Sequence, residues 1–175
     1  MDDKRLLRTA LRRARKDLSP LERRTATQRI NRCLKKNIRR GKNIAVYRAV
    51  GSELNLNDFI HSARRRGAQV FEPLIDRRSR RLWFIPWGQT AHRRTRKLRM
   101  ERMSTVLLPL LGIDRAGFRL GQGGGYYDTS LAACRVHHPR RIGVGFACQC
   151  VAAVPREAHD QALDAFVCER HEWRF

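Results

Sequence analysis

The chain has 175 residues and a formal net charge of +22, from 38 Lys plus Arg against 16 Asp plus Glu. With 42% apolar residues, this length suits one domain over residues 1–175, and the composition excludes an intrinsically disordered chain or a long acidic tail. No apolar run approaches the roughly 20 residues of a membrane span, and Met1-Asp2-Asp3-Lys4-Arg5 leads into no signal-like apolar stretch, so a cytoplasmic protein without a membrane partner is expected.

Lys4 to about Lys16 reads as a helix, with Leu7, Ala10 or Leu11, and Ala14 on one face. Lys4, Arg8 and Arg12 recur every four residues on another face. That stripe describes either a solvated helix face or a row of phosphate contacts. Ser19-Pro20-Leu21-Glu22 opens a second helix through a reciprocal cap, and Gly41 marks its exit. Asn43 to Val50 reads as a strand, followed by a loop at Gly51-Ser52-Glu53. Asn57 opens a short helix that Gly67 closes, and Gln69-Val70-Phe71 begins another strand. Arg81 to Ile85 continues the strands, and Gly88 to Ser104 is a basic segment of loop, short helix, or both. Thr105 to Leu111 is an inner strand with Pro109 near its end. Asp114 to Gly125 reads as one long glycine-bearing connection. A helix near Tyr127–Ala133 and strands at Ile142–Phe146 and Ala165–Cys168 complete the pattern. The alternation predicts an α/β fold: three layers, α/β/α, around a mostly parallel or mixed sheet.

Five cysteines, odd in number and without a Cys-x-x-Cys pair, point to a reducing compartment. Arginine clusters such as Arg39-Arg40, Arg64-Arg65-Arg66 and Arg93-Arg94 attract polyanions: phosphates, nucleotides, polyglutamate, RNA or anionic lipid.

The sharpest segment is Arg119-Leu120-Gly121-Gln122-Gly123-Gly124-Gly125-Tyr126-Tyr127-Asp128. Glycines this dense are costly to order, but they let backbone amides approach an anion closely. Arg119 adds a planar donor fork suited to phosphate or carboxylate, and Asp128 is a candidate Mg2+ ligand. The segment is neither a P-loop nor a dinucleotide fingerprint, since no Gly-Lys-Ser or Gly-Lys-Thr follows. Read from the residues alone it is a phosphate site or a flexible surface turn.

With Lys4, Leu7-Arg8, Tyr47, Glu53, Leu82–Trp87, Leu108-Pro109, Asp114, Gly117, His159-Asp160 and Leu163-Asp164, this segment resembles the 5-formyltetrahydrofolate cyclo-ligase (methenyltetrahydrofolate synthetase) family over almost the whole chain. The resemblance implies an enzyme using ATP and Mg2+ to convert 5-formyltetrahydrofolate into 5,10-methenyltetrahydrofolate, ADP and phosphate. It implies that Lys4 and Arg8 hold the ATP phosphates with the loop Gly121, Gln122, Gly123, Gly124, Gly125 and Tyr126. Arg119, Tyr127 and Asp128 are then the catalytic group, Asp128 also holding the metal. Glu53, Trp87, Tyr127 and Phe84 face the folate, although Phe84 reads equally as core. Arg93, Arg94, Arg96 and Lys97 are candidates for a rim that steers a polyglutamate tail, and a monomer is expected. This chain departs from the family pattern between Gly88 and Ser104, which offers only Glu101 as an acid. Thr129 stands where Arg is common and Cys168 where Thr is common. The alternatives are a basic RNA- or ribosome-associated protein, or a catalytically weakened folate or nucleotide binder.

Overall fold

A computed structural model of the chain describes residues 3–135, 137–157 and 160–175. Two helices lead, α1 (Asp3–Lys16) and α2 (Pro20–Leu34), followed by β1 (Asn43–Ala45), α3 (Asn57–Arg65), β2 (Gln69–Asp76) and β3 (Arg81–Pro86). The next elements are β4 (Leu98–Arg99), β5 (Thr105–Pro109), β6 (Gly112–Ile113), β7 (Arg119–Leu120) and α4 (Tyr126–Ala132). Three strands close the chain: β8 (Arg140–Val144), β9 (Ala165–Val167) and β10 (Glu172–Arg174). The α2 cap forms as expected: the Glu22 amide donates to Ser19 Oγ at 3.3 Å while the Ser19 amide donates to Glu22 Oε2 at 2.9 Å.

The main sheet has eight strands in the order β10-β9-β8-β5-β1-β2-β3-β4. Its middle, from β9 to β2, is parallel, and antiparallel strands finish both edges. Alternate residues feed two cores, as period-2 geometry requires. Ile44, Val70 and Leu107 pack with α2 and α3 on one face. Ala45, Phe71, Val106 and Leu108 pack with Leu131 of α4 on the other. The result is the expected three-layer α/β architecture with a mixed sheet.

Several elements differ from the sequence reading. β1 ends at Ala45; Val46 still donates to Phe71 O at 2.9 Å, and the chain then leaves the sheet. The stretch from Asp114 to Gly125 is not a plain connection, because β6 and β7 pair within it. Buried Asp114 causes this: its Oδ1 accepts the amides of Ala116 and Phe118 at 2.9 and 3.0 Å, folding the chain back on itself. Leu11 of α1 packs against this hairpin through Leu111 and Leu120.

Candidate active site

The glycine segment leaves β7 and enters α4 at the end of the sheet where β5 finishes. Gly123 and Gly125 adopt left-handed φ values of +105° and +68°, which side chains with a Cβ rarely take. The loop therefore turns without side chains between its backbone and the space in front of it. Ser130 fixes α4 on the sheet: its hydroxyl accepts the Leu82 amide at 2.8 Å and donates to Tyr126 O at 2.7 Å.

In front of the loop lies a cavity of about 460 Å3, within the usual range for small-molecule sites. Gly121 through Asp128, Arg119, Lys4 and Arg8 line it, with an apolar floor from Pro73, Ile75, Leu82 and Pro109. The structure thus brings the N-terminal helix stripe and the glycine segment together. Arg8 Nε donates to Gly121 O at 3.0 Å. Arg12 Nη2 donates to Gln122 Oε1 at 2.9 Å, and Gln122 Nε2 donates to Glu53 Oε1 at 3.2 Å. Glu53 does not line the cavity but sits one hydrogen bond from its rim.

Arg119 is the most buried cation of the site, with its side chain 4% exposed. One amino group donates to Asp128 Oδ2 at 2.8 Å, the guanidinium lies 5.5 Å from the Tyr127 ring centre, and its buried Nε has no partner. Such a guanidinium keeps its charge at the cavity wall while most of its donors stay out of reach of water. Burial pushes the Tyr127 phenol far above its ordinary value, against the opposing effect of Arg119, so it stays protonated.

Two acids that the sequence reading assigned no role complete the wall, Glu157 and Asp160. Lys4 Nζ donates to Glu157 Oε1 at 2.7 Å and to Asp160 Oδ2 at 3.3 Å. Burial acts to lower the Lys4 pKa, but these hydrogen bonds and charges outweigh it and raise it. The signal available in the sequence was two closely spaced acids in a chain so basic. His159, part of the same motif, lies outside the described residues.

Asp128 and Asp160 are the cavity carboxylates suited to a cation. Among the described residues no group of three or more metal-ligating side chains is assembled. The donor chemistry of the two carboxylates suits Mg2+, which commonly takes one or two carboxylates and fills its remaining positions with phosphate oxygens and water.

The folate-side expectations divide. Phe84 is corrected to core: it is fully buried among Phe71, Met100, Met103 and Val106, because β3 turns it inward at its pairing with Pro73. Trp87 lines a separate pocket of about 200 Å3 with Tyr47, Asn55 and Ile60. Arg48 stacks 4.7 Å from its ring centre and forks onto Glu72 at 2.9 Å twice. Of the rim candidates, Arg96 donates to Gln69 Oε1 at 3.1 Å, at the start of β2, and none of the four lines the cavity. Glu101 pairs with Arg81 at 2.5 Å, away from the cavity lining.

The sequence model of the 5-formyltetrahydrofolate cyclo-ligase family matches residues 1–169. The 5-formyltetrahydrofolate cyclo-ligase of Haemophilus influenzae is 26% identical over 174 residues, covering 90% of this chain and 92% of its own. That of Escherichia coli K12 is 26% identical over 146 residues, covering 75% and 80%. A solved 5,10-methenyltetrahydrofolate synthetase from Mycoplasma pneumoniae superposes with a TM-score of 0.82 at 24% identity, covering 95% of this chain and 99% of that one; the fold is shared.

Proposed function

Because the chain belongs to the 5-formyltetrahydrofolate cyclo-ligase family, we propose that it closes 5-formyltetrahydrofolate to 5,10-methenyltetrahydrofolate at the expense of ATP, within the cavity bounded by α1 and the glycine segment. The observation that carries this reading is the convergence of Lys4, Arg8, Arg119 and Asp128 on one glycine-walled cavity. A formamide carbonyl is a poor electrophile. Transfer of the γ-phosphoryl group to the formyl oxygen makes that oxygen a leaving group. The folate N10 then attacks the formyl carbon, phosphate departs with the oxygen, and N10 gives up its proton. No protein nucleophile is required; the demand is for positioning and charge neutralisation.

In this reading Lys4 and Arg8 hold the phosphates from α1, and the amides from Gly121 to Gly125 enclose the reacting group. Arg119, in the cavity wall, sets its positive charge against the charge that develops on the phosphoryl oxygens. Tyr127, held protonated, donates rather than accepts at the junction of the two substrates. Asp128 and Asp160 would hold Mg2+, which supplies positive charge between phosphate oxygens when bound. Glu53, oriented by Gln122 and by the Val50 amide at 3.0 Å, accepts hydrogen bonds from the amino edge of the pterin. The five free thiols accord with a cytoplasmic setting.

The test is spectrophotometric. Purified protein given 5-formyltetrahydrofolate develops methenyltetrahydrofolate absorbance only when ATP and Mg2+ are both present. Monodisperse protein that binds ATP yet gives no absorbance change would overturn the assignment.

A further inference from the structure

Part of the positive charge, diffuse in the sequence, is gathered at one edge of the fold. The register aligns the beginnings of four parallel strands: Asn43 of β1 faces Gln69 of β2, Ile44 faces Thr105 of β5, and Thr105 faces Arg140 of β8. Two of the segments that enter these strands carry arginine clusters, Arg39-Arg40 before β1 and Arg64-Arg65-Arg66 before β2, and Arg102 and Arg140 stand at the starts of β5 and β8. Gly41 donates to Gly67 O at 2.8 Å, which sets Arg39-Arg40 beside Arg64-Arg65-Arg66; the Arg40 side chain packs over Gly67. Arg66 donates to Lys35 O at 3.0 Å, and Arg140 donates to Asn37 Oδ1 at 3.2 Å. Asn43 Nδ2 donates to Arg102 O at 2.9 Å, bringing Arg102 to the same edge. The band therefore runs continuously from β8 to β2, at the opposite end of the strands from the cavity at Pro109.

Acids do not neutralise it. Asp58 and Glu172 engage Lys35 and Lys36. Among the described residues no carboxylate pairs with Arg40, Arg64, Arg65 or Arg102, and all four are exposed. The large apolar side chains that are exposed, Leu6, Leu21, Val50, Ile75 and Phe175, belong to other parts of the molecule, so the band has no wedge for a bilayer. It also has no exposed aromatic ring on which unpaired bases could stack, as single-strand binders use. What remains is a row of arginines along an edge about 15 Å long at 4.8 Å per strand, suited to bidentate phosphate contact.

We propose that this edge docks a nucleic-acid duplex through its phosphate backbone, without reading its sequence and without obstructing the cavity. Over such a length a duplex presents a charge about every 1.7 Å of axis, and the face turned toward the protein offers about four to five phosphates to the band. Counterion release then gives a slope of log K against log salt of about −4.

The test measures anisotropy of a short fluorescein-labelled RNA duplex of arbitrary sequence across a salt series. The full-length protein is compared with the quadruple variant Arg40→Gln, Arg64→Gln, Arg65→Gln, Arg102→Gln. A control with the same charge change, Arg13→Gln, Arg24→Gln, Arg77→Gln, Arg78→Gln, lies off the band. Circular dichroism confirms that both variants fold. The expected result is binding near physiological salt for wild type and control, a slope shallower by about 3 units in the edge variant, and unchanged methenyltetrahydrofolate formation in the edge variant. Equal losses in control and edge variants would show that the attraction is diffuse and overturn the proposal, as would wild-type binding confined to low salt. Because activity is read separately, inactive protein that still binds through the edge would count against the cyclo-ligase reading and leave the docking surface standing.

Discussion

Replacing Asp128 separates the chemistry of the site from its stability. Its carboxylate is the acid paired with Arg119, at 2.8 Å, and the Arg119 side chain is 4% exposed against 16% for Asp128. Stranding a fully buried charge costs about 3–5 kcal/mol, but water can enter from the cavity side through the exposed part of Asp128. A charge-assisted hydrogen bond contributes about 1.5–3 kcal/mol, so Asp128→Ala should destabilise the fold by about 2 kcal/mol, lowering Tm by about 4–8 °C for a chain of this size. Asp128→Asn keeps an acceptor for Arg119 and should lose about half of that. Turnover should respond differently: in the proposed reaction both variants lose the charge beside the transferred phosphate and should fall by about 100- to 1000-fold in kcat. Thermal melts with and without ATP, beside the absorbance assay, read the two effects apart. If Asp128→Asn kept kcat within about threefold of wild type and the same Mg2+ dependence, Asp128 would have no part in the reaction.

Ser130→Ala leaves the buried Leu82 amide without its 2.8 Å partner; urea melts should show a loss of about 1–3 kcal/mol, with reduced kcat as α4 loosens. Gly143→Ala drives a Cβ to 2.6 Å from Leu163 Cδ1 and 2.9 Å from Leu110 Cδ2, so overpacking of β8 should cost about 1–3 kcal/mol by the same melts. Lys4→Met tests linkage. The native Lys4 pKa lies above its ordinary 10.5, so the contribution of the ammonium to stability is complete below 10.5 and lost as pH rises through the higher native value. The Tm difference between wild type and Lys4→Met should therefore be constant from neutral pH to about 9 and shrink above about 10.5; a difference that grew with alkalinity would contradict the assigned contacts.

The parts of the fold that were legible are those whose determinants are local. The α2 cap needs only Ser19, Pro20 and Glu22, all within one turn. The inner strand β5 announces itself as an apolar run that Pro109 ends. What stayed hidden depends on distant partners. β10 is three residues with a polar outer face, and its position comes from Trp173 packing 5.4 Å from Phe166. The β6–β7 hairpin follows from Asp114, whose second oxygen accepts the Val154 amide at 3.1 Å across the fold. Phe84 within β3 and Trp87 just past its end are both aromatic, and only the direction in which the chain turns each of them decides core or pocket.

For the site, the glycine spacing was enough to single out the loop that walls the cavity, but not to reveal how the charges around it are held before any ligand arrives. Every cation aimed at the cavity has a protein acceptor: Lys4 on Glu157 and Asp160, Arg8 on Gly121 O, Arg119 on Asp128. These pairings join residues more than a hundred positions apart for α1, which no spacing rule can anticipate. They avoid the cost of leaving concentrated positive charge unpaired in a half-closed cavity. They also set a requirement on binding. In the proposed ATP complex the triphosphate would take Lys4 and Arg119 from carboxylates that it repels, and a cation bound with it would give Asp128 and Asp160 a new positive partner. If Asp128 and Asp160 hold the cation as proposed, removing Mg2+ should weaken ATP binding as well as slow turnover, a loss that titration calorimetry with and without a chelator would measure directly.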